Sequence, residues 1–114
     1  MLAAHLKLPN LTAIVDYNKV QQSGHVRQTL DLHPLADKWR AFGWAVREID
    51  GHEMAEIVEA LDALPLAPDK PSVLIAHTVK GKGVGFAEDT YLWHSNAVTD
   101  EVYEKALAEL GASA

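Results

Sequence analysis

With 114 residues, 48% of them apolar and 23% charged, the chain can form one small domain with a real core and is too apolar for wholesale disorder. Its formal net charge of -6 excludes a nucleic-acid binder that relies on a clustered basic face, and no stretch approaches the roughly 18 consecutive apolar residues of a membrane span. Cysteine is absent, which removes disulfide frameworks and thiolate metal sites; Met1 to Leu8 lacks the features of a signal peptide, so the expected compartment is the cytoplasm.

Ala3 to Leu8 reads as the tail of a helix whose beginning is missing, and Pro9-Asn10 is a turn signal. Leu11 to Asp16 is a short, β-branched apolar run, expected to be a strand buried on both faces. A polar stretch then runs from Tyr17 to about Thr29, and so long a loop is more often functional than decorative. Pro34 suits the first turn of a helix carrying Leu35, Trp39 and Phe42, which Gly43 stops. Ala45 to Asp50 is a half-polar strand closed by Gly51, and Met54, Ile57, Val58, Leu61 and Leu64 form a helical apolar stripe. After a loop marked by Pro65, Pro68 and Pro71, Val73 to Val79 is a third strand. Thr99 caps a last helix, with Asp100 and Glu101 in its first turn, that is expected to bury Tyr103, Ala106, Leu107 and Leu110 before Gly111 ends it.

This alternation implies an α/β fold, a parallel β-sheet flanked by helices. Ligands of such sheets bind beyond the carboxyl ends of the strands. The segments leaving strands there are Asp16 to Ser23 and Lys80 to Asn96, so function is sought in those two.

An asparagine just past a strand end, here Asn18, can offer its oxygen to a hard cation such as magnesium; it can equally serve a polar turn. Lys80-Gly81-Lys82-Gly83-Val84-Gly85 combines close backbone approach with positive charge, as a phosphate site would, yet fits neither the Walker loop nor the dinucleotide fingerprint. A glycine-rich surface loop explains it as well. Trp93-His94 lies in a loop, where histidine can move protons near neutral pH or simply be solvated. The six histidines, His5, His25, His33, His52, His77 and His94, lack the close spacing of a zinc site.

Together the blocks HLKLPNLTAIVDYNKVQQSG, LADKWRAFGWAVREIDGH and IAHTVKGKGVGFAEDTYLWH resemble the N-terminal subunit or half of transketolases, in the family's order. The resemblance spans nearly the whole chain and implies that residues 1–114 are the later portion of a single, incomplete thiamine-diphosphate-binding domain. It implies a transferase of two-carbon ketol units between sugar phosphates, with thiamine diphosphate and Mg2+ as cofactors. By position, Asn18 matches the family's magnesium-ligand asparagine, and Val20 matches the residue whose carbonyl binds that ion. Gln22 and Lys80 match positions lining the cofactor site. His94 matches a histidine near the diphosphate and the sugar, a cofactor-binding and catalytic role.

The family's Gly-Asp-Gly, whose aspartate also binds magnesium, does not occur among the seventeen residues before Asn18. Asp16 is a poor substitute because the family already has an acidic residue at that strand end. The pyrimidine-binding domain is absent too. The expectation is therefore an enzyme component inactive alone, completed by complementary transketolase chains that carry the upstream piece and the pyrimidine domain. The alternatives are a non-catalytic regulatory or interaction module of the same fold, and a stand-alone phosphate binder using the Lys80 to Gly85 loop. Where the family usually has glycine after Trp-His, this chain has Ser95-Asn96, which calls the loop's shape and the sugar specificity into question.

Overall fold

The structure is a computed structural model that describes residues 1–111. In chain order its elements are α1 (Leu2–His5), β1 (Thr12–Tyr17), β2 (Val20–Gln21), β3 (Gly24–His25), α2 (Val26–Thr29), α3 (Leu35–Ala41), β4 (Ala45–Asp50), α4 (Met54–Asp62), β5 (Ser72–His77), a 3-10 helix (Tyr91–His94) and α5 (Asp100–Glu109). They fall into two compact units: Met1–Tyr17 with Leu32–Thr78, and Asn18–Asp31 with the chain from Val79 onward.

The first unit is built on a parallel sheet of order β1-β5-β4, flanked by helices, as the alternation of elements implies. Both outer strands start level with Ser72: Thr12 and Ala45 stand beside it, and Tyr17 and Asp50 beside His77. β5 has a neighbour on each side, so its apolar sequence from Ser72 to Ala76 is buried throughout. Side chains alternate across the sheet. On one face Ile49, Leu74 and Ala76 pack with Ala60 of α4, joined by Ile57, Leu64 and Leu66. Ala60 is fully buried, and its small side chain lets α4 sit close to the strands. Arg47 on β4 reaches Glu59 on α4 at 2.8 Å, and Glu53 caps α4 by accepting a hydrogen bond from the Ala55 N–H. α3 ends at Gly43, whose φ of +86° favours glycine; a Cβ there would stand 2.9 Å from the Ala4 Cβ, so α1 also needs its absence.

Three expectations are corrected. The strand at Leu11 to Asp16 is β1 and is not buried on both faces, because it is an edge: Ile14, level with Leu74 on the α4 side of the sheet, is 62% exposed. The apolar stripe of α4 is wider than the surface it covers, leaving Met54, Val58 and Leu61 exposed. No residue of α5 is buried, and Tyr103 and Leu110 are 53% and 56% exposed; the Thr99 cap is present, its Oγ1 accepting from the Val102 N–H.

Candidate functional site

All five candidate residues belong to the second unit. Asn18 follows β1 directly, and Lys19, with a left-handed φ of +65°, turns the chain into the β2–β3 hairpin. Val20 pairs with His25 and Gln21 with Gly24, so Gln22 and Ser23 form the exposed two-residue tip. The Val26 N–H donates to the Lys19 carbonyl at 2.8 Å. That bond sets the phase of the ladder, making Val20–His25 the non-hydrogen-bonded pair, with the N–H and C=O of Val20 turned outward. The outward N–H donates to Asn18 Oδ1 at 2.9 Å.

One tight turn thus carries two oxygen acceptors, Asn18 Oδ1 with a lone pair to spare and the outward Val20 carbonyl. Neutral oxygen donors of this kind suit a hard cation such as magnesium, which takes its remaining ligands from phosphates and water. The residues present fit one side of a magnesium–diphosphate site. Among the described residues, no three or more histidine, aspartate or glutamate side chains cluster as a metal site. Asp16 is engaged elsewhere, its carboxylate accepting from the Thr78 hydroxyl.

Lys80 and His94 lie on the second segment of the same unit. Lys80 is half-buried, and its carbonyl accepts from the Asp89 N–H at 3.0 Å. Gly81 then takes a φ of +72°, and any Cβ there would collide with the Ala87 carbonyl, so the loop folds back on itself only with glycine. The two later glycines are used differently. The Gly83 N–H donates to Glu88 Oε1 at 2.9 Å, and the Gly85 N–H donates to Glu109 Oε2 at 2.5 Å. Both amides that could face a phosphate face carboxylates in this structure.

His94 is exposed at the end of the 3-10 helix, which Thr90 caps through the Leu92 N–H at 3.3 Å. Trp93 packs edge-on against Phe86, ring centres 5.3 Å apart, and Lys105 Nζ lies 4.5 Å from the Phe86 ring centre. Ser95 adopts φ -142° and ψ 15°, a conformation that does not need glycine, so the departure at this position imposes no strain on the loop. The turn brings Asn18 and Val20 together, while Gln22 sits apart at the hairpin tip. His25 Nδ1 approaches Asp89 Oδ1 at 4.0 Å, linking hairpin and second loop. Neither Lys80 nor His94 hydrogen-bonds to Asn18, Val20 or Gln22 among the described residues.

A cluster missed by the sequence reading lies in the first unit. Tyr17, 5% exposed, shares a 2.9 Å hydrogen bond with His33 and meets the His77 ring edge-on at 5.6 Å, while His77 pairs with Glu48 at 2.8 Å. These residues, with Asp37 and Arg40, line a cavity of about 220 Å³. Their sequence positions carry no shared spacing; the register of three strands gathers them, so no local signal announces the group.

The whole chain, residues 1–114, matches the family described as transketolase, thiamine diphosphate binding domain. The chain belongs to the transketolase family. It is 44% identical over 110 residues to the 6-deoxy-6-sulfo-D-fructose transketolase subunit of Clostridium sp. (strain MSTE9), covering 96% of this chain and 40% of the relative. It is 41% identical to an apulose-4-phosphate transketolase subunit of Phocaeicola vulgatus, covering 96% and 39%. The chain therefore spans about 40% of the length of these transketolase subunits. Its fold superimposes on the crystal structure of Campylobacter jejuni transketolase with a TM-score of 0.87 at 32% identity, over 97% of this chain and 17% of that one. Among the described residues no helix is long and apolar enough to cross a membrane.

Proposed function

We propose that this transketolase-family chain is one component of a divided, cytoplasmic enzyme that binds thiamine diphosphate with Mg2+ and transfers a two-carbon ketol unit between sugar phosphates. The observation that carries this reading is the Asn18–Val20 turn at the carboxyl end of β1, which offers two outward oxygen donors in a chain matched along its length to a thiamine-diphosphate-binding domain. The names of two relatives, a 6-deoxy-6-sulfo-D-fructose transketolase subunit and an apulose-4-phosphate transketolase subunit, support the subunit character and a sugar substrate.

In this reading Asn18 Oδ1 and the Val20 carbonyl hold magnesium, and the magnesium holds the diphosphate. Gln22 at the hairpin tip and Lys80 beside the glycine loop line the cofactor, the lysine contributing a positive charge toward the diphosphate. His94, exposed on the 3-10 helix and without a hydrogen-bond partner among the described residues, is the catalytic residue: it hydrogen-bonds the sugar and carries a proton to or from it. When bound, thiamine diphosphate supplies the nucleophilic carbon that stabilises the transferred unit as a carbanion. The carboxylate ligand for magnesium and the pyrimidine-binding domain are not among these 114 residues, and the names of the relatives as subunits support partner chains in the assembled enzyme that supply them.

The test is ketol transfer by the chain assembled with transketolase chains that supply those two pieces. Activity should require Mg2+, and His94→Ala should lower kcat by about 10²-fold or more, a typical loss for a proton-transfer group, with thiamine diphosphate still bound. An assembly that binds the cofactor but moves no ketol unit would contradict the reading.

A further inference from the structure

The glycine loop and α5 form a device that the cofactor reading does not use. Glu109, in the last turn of α5, accepts from the Gly85 N–H at 2.5 Å, and Glu88 accepts from the Gly83 N–H at 2.9 Å. Leu110 lies over Gly83, where a Cβ would come within 3.1 Å of its Cδ2. Away from this end α5 packs only through half-buried side chains, Val102, Ala106 and Leu107. None of its residues is buried, and a cavity of about 280 Å³, lined by Lys82, Phe86, Trp93, Val102 and Ala106 among others, separates it from the loop. Beside the Lys105 Nζ over the Phe86 ring, the charged hold of α5 on the glycine loop is the carboxylate–amide contact at its carboxyl end.

We propose that α5 is a displaceable strap, and that the loop under its end is an oxyanion site whose resident occupant is the Glu109 carboxylate. A backbone N–H that donates to a carboxylate oxygen offers the same hydrogen bond to a phosphate or sulfonate oxygen. Two such amides, at Gly83 and Gly85, flank one loop, and the exposed Lys82 beside them adds a positive charge. Because Glu109 is tethered, it competes at an effective concentration of roughly millimolar order, so a free oxyanion displaces it only when abundant or when Glu109 is drawn away. Binding of the oxyanion frees α5 from the loop that leads to His94.

The experiment is a titration of the full chain with inorganic phosphate, without magnesium or thiamine diphosphate, followed through the backbone amide resonances of Gly83 and Gly85. It therefore fails or succeeds independently of the proposed enzyme activity. Glu109→Gln keeps the shape and a neutral acceptor but removes the charge, and should saturate at about tenfold lower phosphate than the wild type, the difference between a charge-assisted and a neutral competing hydrogen bond. Glu104→Gln makes the same charge change elsewhere on α5 and should match the wild type. Unchanged β5 amides in both variants establish that the fold is retained. Equal gains in the two variants would reduce the effect to net charge, and no saturation in Glu109→Gln would mean the loop takes no anion; either result overturns the proposal.

Discussion

Where the chain leaves β1, Asn18 performs two tasks with one oxygen. It accepts the Val20 N–H, which shapes the turn, and in the proposed enzyme it binds magnesium. The two tasks separate on substitution. Asn18→Ala removes both and should raise the dissociation constant of magnesium–thiamine diphosphate in the assembled enzyme by about tenfold or more, as loss of a metal-ligand oxygen requires. The fold should lose only about 1 kcal/mol, the worth of one turn hydrogen bond, measured by thermal denaturation. Asn18→Asp keeps an oxygen in place and should retain binding within a few-fold. Unaltered cofactor affinity in Asn18→Ala would remove Asn18 from the metal site. At this scale the sequence was informative about identity and silent about geometry. Asn18 was legible because it stands immediately after an apolar run, but the outward carbonyl of Val20 follows from the hairpin's ladder, and a two-residue strand has too few residues to show a period.

Among the elements, β4 was readable from residue types alone, since Ala45 to Asp50 lies between Gly43 and Gly51. The last helix was equally readable through Thr99 and its acidic first turn. The error at β1 has a physical origin: an apolar run reports how hydrophobic a strand is, whereas its burial depends on what lies beside it. Leu74 and Ile14 stand level in the sheet on the same face, one in the centre and one at the edge. Their substitutions should differ accordingly. Leu74→Ala leaves a cavity under α4 and should cost about 2–5 kcal/mol in denaturant unfolding of the isolated chain, while Ile14→Ala should change stability by only about 0.5 kcal/mol. A comparable loss at Ile14 would mean that the β1 edge is covered even in the isolated chain. The 3-10 helix before His94 escaped the sequence reading because four residues carry no period, and the overestimate of burial in α5 arose because a helical stripe was assumed to have a surface to cover.

For the molecule as a whole, exposed apolar side chains occur in both units. In the first unit Ile14 lies on β1, an outer strand with one unpaired edge, while Met1 of the α1 segment sits beside Trp39 and Phe42 of the α3 segment. The divided-enzyme reading gives that edge a use as the seat of the complementary chain. In that reading the two oxygens of the Asn18–Val20 turn are part of the proposed magnesium site, and its remaining ligands lie outside residues 1–114. Family, fold and candidate residues were visible in three sequence blocks, yet the division into two units was not, because it depends on residues 18–31 and the chain from Val79 onward packing together across a long sequence gap. The central claim is that the chain holds part of a cofactor site and needs partners to finish it. Its most direct measurement is titration with thiamine diphosphate and Mg2+, following tryptophan fluorescence, because Trp93 adjoins His94. The account predicts no saturable binding by the chain alone and magnesium-dependent binding once chains carrying the missing pieces are added. Tight, magnesium-dependent binding by the chain alone would contradict it, since these residues would then complete the site without a partner.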